Sequence, residues 1–267
     1  MTSPATLEAA GVELAYEDHG AGPPLVLVHG TTGTRAIWRE TLDALGAGFR
    51  TIAYDRRGYG DSGAPEPYTG TTVGEQADDL AALIRTLDAA PALVCGHSFG
   101  ALAALEVLRS EPELARAAVL IEPPLLWLTP AGSEAASELR EAIEAGARER
   151  GADGAVDAFV TGTGGPDALE LLGADRVEAA HAAPRAFAAD VGAVSAWAVS
   201  PRELRAIETP VILLAGTRTP RAWREPSDAL ADMLPNAELR ECDSSHLIPV
   251  EAPADVAAAI RALAAQP

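Results

Sequence analysis

Short, almost wholly apolar runs alternating with stretches of helical spacing constrain this chain more than any other feature. Leu25-Val26-Leu27-Val28, Ala92-Leu93-Val94-Cys95, Ala118-Val119-Leu120-Ile121 and Pro210-Val211-Ile212-Leu213-Leu214-Ala215 read as strands buried on both faces. Arg50 to Tyr54 and Ala237 to Glu241 read as further strands. Val12 to Glu17 alternates apolar and polar residues, as a hairpin strand does, before the turn Gly20-Ala21-Gly22-Pro23-Pro24. Helical spacing intervenes at Ile37 to Leu45, Val73 to Leu87, Ala101 to Leu108, near Ala229 and at Val256 to Ala264. This rhythm predicts a parallel sheet wrapped by helices, an α/β fold.

From Pro123 to about Glu208 the strand runs vanish. Ser133 to Arg150, Val156 to Phe159, Ala168 to Leu172 and Arg185 to Trp197 read as helices separated by Gly and Pro. The expectation is an α/β core made of residues 1–122 and 209–267, interrupted by a helical cap over 123–208. A chain of 267 residues is long enough to bury one large core of this kind.

Charge narrows the function classes. Asp and Glu number 39 against 20 basic residues, a formal net charge of −19, and every basic residue is Arg. That excess repels phosphate backbones and anionic lipid surfaces, so neither nucleic acid nor a membrane is expected as a partner. The absence of Lys excludes Schiff-base chemistry on a side-chain amine and phosphate binding through a P-loop Lys. No run approaches eighteen apolar residues, and Met1 to Gly20 lacks a basic segment followed by an apolar one. The expected location is therefore cytoplasmic. Cys95 and Cys242 end apolar runs without metal-ligand spacing, and no metal or cofactor is expected.

Gly96-His97-Ser98-Phe99-Gly100 stands between a buried strand and a helix. This is the G-x-S-x-G nucleophile elbow in the context it requires. Two glycines permit a tight strand-to-helix turn that lifts the Ser98 hydroxyl above the sheet. The Phe99 N–H, at the helix start, then points where an oxyanion would form.

His29-Gly30-Thr31-Thr32-Gly33 follows another buried strand, and Tyr54-Asp55-Arg56-Arg57-Gly58-Tyr59-Gly60-Asp61-Ser62 a third. With these motifs in order, nearly the whole chain resembles the α/β-hydrolase superfamily. The resemblance implies a mostly parallel eight-stranded sheet flanked by helices, with Thr31 N–H as the second oxyanion donor. His29 and the Asp55-Arg56-Arg57 charges would brace their loops. The base of that superfamily follows the last strand. Of the five histidines, His246, in Asp243-Ser244-Ser245-His246-Leu247, stands there; His19 lies in a turn, His97 inside the elbow and His181 in the cap as an exposed helix residue.

The acid departs from the superfamily's commonest pattern. Its usual place holds Gly216-Thr217-Arg218-Thr219-Pro220, and a Thr219 hydroxyl cannot stabilise an imidazolium. Glu122, ending the Val119 to Ile121 strand, is the candidate, with Pro123 expected to hold it extended. A strand end beside the usual one is an alternative acid site in the superfamily. Asp243 and Glu225 are the fallback acids. Glu-Pro-Pro after one strand and Gly-x-x-Thr-Pro after the next look like a subgroup that includes zearalenone-type lactonases, which use Ser, Glu and His.

These residues lead to a cofactor-free serine hydrolase of carboxylic esters or lactones, with Ser98, His246 and Glu122 as triad and Thr31 and Phe99 as oxyanion donors. Trp127 and Trp197, in or beside the cap, are candidate contacts to an apolar or aromatic substrate. The alternatives are a thioesterase or acyl transferase of a biosynthetic pathway, and a non-hydrolytic binding protein or cyclase; a homodimer is left open. In the implied strand order three spacings, about 14 Å, separate the two cysteines. A disulfide needs Cα atoms within about 7 Å, so both are expected as free thiols.

Overall fold

The structure, a computed structural model, describes residues 4–266. Residues 1–3 and 267, the extreme ends of the expected core segments and the start of the Met1–Gly20 stretch, lie outside the described residues. Eight strands form one sheet: β1 (Ala5–Ala9), β2 (Val12–Gly20), β3 (Pro24–Val28), β4 (Arg50–Tyr54), β5 (Ala92–His97), β6 (Ala115–Ile121), β7 (Val211–Gly216) and β8 (Ala237–Cys242). Their order is β1-β2-β4-β3-β5-β6-β7-β8. β2 pairs antiparallel with β1 and β4, and every later neighbour pair is parallel.

The period-2 geometry of a strand sends neighbouring apolar residues to opposite faces. Val26, Val28, Val94 and Leu120 join the core under α2 (Val73–Thr86) and α3 (Phe99–Ser110). Leu25, Leu27, Leu93 and Val119 join the core under α1 (Arg39–Leu45) and the last helix. Both faces are thus covered, which is why these runs are apolar without alternation. β8, one of the two edge strands, carries Glu238, Arg240 and Glu241, charges that discourage pairing with a second sheet.

Between β6 and β7 the chain forms helices α4 (Pro130–Gly164), α5 (Ala168–Leu172), α6 (Ala174–His181), α7 (Pro184–Ala196) and α8 (Pro201–Leu204), preceded by a 3-10 turn at Leu126–Leu128. After β7 come α9 (Arg221–Met233), and after β8 α10 (Ile248–Glu251) and α11 (Pro253–Ala264). α4 breaks at Arg150 and Gly151, where φ reaches 67°, and its two arms fold back on each other. A Cβ on Gly146 would lie 2.2 Å from the Gly154 carbonyl oxygen, so only glycine allows that approach.

The sequence reading differs from this fold in several places. β1 was not anticipated, because Ala-Thr-Leu-Glu-Ala buries only Leu7 and Ala9. β2 continues to Gly20 through its pairing with β4, which places His19 opposite Thr51 in a strand rather than in a turn. His181 is not an exposed residue: it ends α6 half-buried, with Nε2 2.8 Å from Asp157 Oδ1. Cys95 and Cys242 are free and buried, on strands three places apart as expected. Burial pushes both thiols up, that of Cys242 to about 12.

Candidate active site

Ser98 links β5 to α3 with φ 52° and ψ −119°. Such backbone is strained for a residue with a Cβ, by about 1–3 kcal/mol, and its surroundings leave no alternative. A Cβ on Gly96 would lie 2.4 Å from the Gly100 carbonyl oxygen, and one on Gly100 would lie 2.2 Å from that of Val28. The Ser98 N–H donates to the Ile121 carbonyl at 2.8 Å. Its hydroxyl does not cap α3 and faces the cavities described below. Phe99 is the first residue of α3, so its N–H has no helical acceptor. Neither that N–H nor the Thr31 N–H donates to a backbone carbonyl among the described residues.

Glu122 follows β6, and its N–H donates to the Leu214 carbonyl at 3.1 Å, extending the ladder to β7. Contrary to the expectation that Pro123 holds it extended, Glu122 has φ 42°. The bend turns the side chain across the end of β7. There Glu122 Oε1 accepts the Gly216 N–H at 2.8 Å, and Oε2 lies 2.5 Å from His246 Nδ1. Glu122 is 2 % exposed and His246 6 %. The fallback acids are engaged elsewhere, Asp243 with Arg218 and Glu225 with Arg221. Thr219 is buried, and its hydroxyl finds no partner among the described residues.

Two further groups hold the His246 loop. Glu251 accepts the Ser245 N–H at 2.9 Å, the Ser244 hydroxyl at 3.2 Å and the Ser245 hydroxyl, and pairs with Arg218 at 2.7 Å. His97 Nε2 lies 2.9 Å from the His246 carbonyl; a carbonyl only accepts, so this nitrogen carries the proton. The two imidazoles pack with centroids 4.9 Å apart. Burial, and then the neighbouring His246, push the pKa of His97 down to about 3, so it is neutral at ordinary pH. His29 is likewise held well below its usual range by burial and by Arg56; its Nε2 accepts the Arg56 N–H at 2.8 Å.

Ser98 and His246 line one cavity of about 40 Å³ with the 30–34 loop, but no hydrogen bond joins them among the described residues. Ser98 also opens onto a second cavity of about 210 Å³, walled by α4, α7 and α9, and Thr31, Phe159 and Thr163 border both. The structure therefore brings Ser98, His246, Glu122, Thr31 and Phe99 to the carboxyl ends of the central strands. It does not bring Trp127 or Trp197 there. Trp127 is 40 % exposed, and the Trp197 indole donates to Glu106 at 3.3 Å, packed on the outer side of α3. The aromatics in the larger cavity are Phe159, on α4, and Trp223, on α9. The signal of Trp223 in the sequence was its place, seven residues after the end of β7, at the same rim as Glu122.

The sequence reading also missed Asp190. This α7 residue is fully buried and accepts hydrogen bonds from Arg56 (Nη2–Oδ2 2.5 Å, Nη1–Oδ1 3.2 Å), the Tyr59 hydroxyl at 2.8 Å and the Thr31 hydroxyl at 2.9 Å. Burial works against the charge of Arg56, and the Asp190 carboxylate outweighs it, so the guanidinium pKa is raised. Arg56 also donates to the His29 carbonyl at 3.0 Å. One ionic knot thus fastens the Thr31 loop to the helical segment.

Known proteins share this fold. A hydrolase from Pseudomonas aeruginosa superposes with a TM-score of 0.80 at 26% identity, over 98% of each chain. A thermophilic esterase from Thermogutta terrifontis does so with a TM-score of 0.75 at 27% identity, over 98% of this chain and 96% of the other. In sequence, the 2-(acetamidomethylene)succinate hydrolase of Mesorhizobium japonicum is 35% identical over 152 residues, 57% of this chain and 52% of that protein. The chain spans about half the length of the curated relatives it matches. The sequence model of the Alpha/beta hydrolase family matches residues 25–259, and with the sheet order and the elbow just described, this chain belongs to that family.

Proposed function

We propose that the protein is a serine hydrolase that cleaves carboxylic esters or lactones through an acyl-enzyme. Ser98 Oγ attacks the carbonyl carbon while His246 Nε2 takes its proton. Glu122 holds the opposite imidazole N–H and stabilises the imidazolium. The negative oxygen lies between the N–H groups of Thr31 and Phe99. His246 returns the proton to the leaving oxygen, and a water, activated by the same imidazole, releases the acid.

The observation that carries this reading is the carboxylate–imidazole pair at 2.5 Å, with the second carboxylate oxygen fixed by Gly216 N–H, at the rim where Ser98 is raised. The serine–imidazole contact is the one still open, and contacts of this kind tighten when substrate seats. Residues 123–208 serve as the cap over a core of 1–122 and 209–267, forming the outer walls of both cavities. The narrower likeness to zearalenone-type lactonases rests on two short stretches and adds nothing to the substrate choice.

A fluorophosphonate probe is expected to add its mass to the Ser98 peptide, with no labelling of Ser98→Ala. Short nitrophenyl esters are expected to be turned over by the parent chain and not by that variant. Absence of both labelling and turnover would replace this reading with that of a ligand-binding protein. A carrier-bound thioester cleaved far faster than any oxygen ester would make it a thioesterase.

A further inference from the structure

The two cavities that meet at Ser98 differ in chemistry. The smaller one holds His246, which must protonate the leaving oxygen, so the alcohol part of an ester lies on that side. Its volume is about 40 Å³. The larger one, of about 210 Å³, lacks the imidazole and so receives the acyl part. Its walls are mostly apolar, with Leu139 and Ile143 of α4, Val191 and Val194 of α7 and Trp223 of α9.

In a chain with 39 acidic residues, none lines this chamber, and its one formal charge is Arg140. Arg140 lies on α4 one turn from Ala136 and Ile143, which border the same space. The ion pairs of α4 are Arg148 with Glu144, Arg150 with Asp157 and His181 with Asp157, and Arg140 takes part in none of them. Arg140 is an exposed residue without an acidic partner among the described residues. The mostly apolar chamber that Ser98 borders thus carries a single charged side chain on its wall, the unpaired cation of Arg140.

We infer that this chamber is an acyl subsite for a chain ending in a carboxylate, esterified to a small alcohol, with Arg140 selecting the distal charge. This rests on the hydrolase reading above. A guanidinium fork matches a carboxylate in two parallel hydrogen bonds, while the apolar walls bury the intervening methylenes.

The test uses the full chain and its Arg140→Gln and Arg140→Glu variants, with monomethyl suberate and methyl octanoate as matched substrates and methanol release as the readout. The parent chain is expected to favour the anionic ester in kcat/KM. The ratio of anionic to neutral should fall about tenfold in Arg140→Gln and further in Arg140→Glu, one tenfold step being about 1.4 kcal/mol. Salt at 0.5 M should shrink the preference of the parent chain. A ratio unchanged within twofold across the three proteins, or a parent chain that favours methyl octanoate, would overturn the inference while leaving the hydrolase reading intact. Faster cleavage of the benzyl than the methyl ester of suberate would overturn the assignment of sides. Failure to label Ser98 and to cleave any ester would remove both readings together.

Discussion

Glu122 pairs an unfavourable backbone with a well-satisfied side chain. The left-handed φ of 42° costs about 1–3 kcal/mol, and the hydrogen bonds that the carboxylate accepts from Gly216 N–H and His246 Nδ1–H offset it, because charge-assisted bonds in a buried site are among the stronger ones. Replacing Glu122 by Gln keeps the shape and removes the charge, so kcat is expected to drop by about three to four orders of magnitude, as triad-acid loss does elsewhere. Thr219→Val should leave kcat within a few-fold and raise the thermal midpoint, since it removes a buried hydroxyl without a partner. Steady-state kinetics on a nitrophenyl ester decide this, and the reverse ranking would move the acid away from Glu122. The position of Glu122 was legible because Glu-Pro after a buried strand is a local pattern. Its backbone was not, because the bend is imposed by the neighbouring strand β7 and not by Pro123.

At the level of elements, the β5–α3 turn was readable because its steric demands are written into two residues, Gly96 and Gly100, within one short window. The knot at Asp190 was not. Its partners Arg56 and Thr31 lie 134 and 159 residues away, and only the packing of α7 on the loop after β4 brings them together. For the same reason Trp223 cannot be told from a core tryptophan in the sequence, while Trp127 and Trp197 look suitable there by their place in or beside the cap. Asp190→Ala leaves the fully buried Arg56 charge without its counter-ion, and loss of one partner of such a pair costs about 3–5 kcal/mol. A urea titration is expected to show that loss. Asp190→Asn should retain part of the stability through its remaining hydrogen bonds, and a variant as stable as the parent would show that the knot is dispensable.

Across the whole molecule, acid acts through two buried imidazoles. His97 titrates near 3, and His29 is displaced in the same direction. Below pH 6.5 the unfolded chain binds a proton at each site and the native one does not, so stability falls with pH, for His97 down to about 3. In that window the His97 imidazole contributes a slope of about 1.4 kcal/mol per pH unit, and His29 acts in the same direction. Urea midpoints between pH 7 and 4.5 are expected to decline less steeply for His97→Gln than for the parent chain, and parallel curves would refute a neutral buried His97. The sheet order, the two covered faces and the helical interruption were legible from periodicity, because each strand declares its burial in its own residues. How the helices between β6 and β7 pack was not, since their exposed and buried faces are decided by one another. With the proposed triad acid standing just after β6, the segment after β7 is free of that duty. That segment launches α9 and hangs Trp223 over the chamber, so ligand preference there can drift, or be retargeted in the laboratory, without disturbing the groups that make and break bonds.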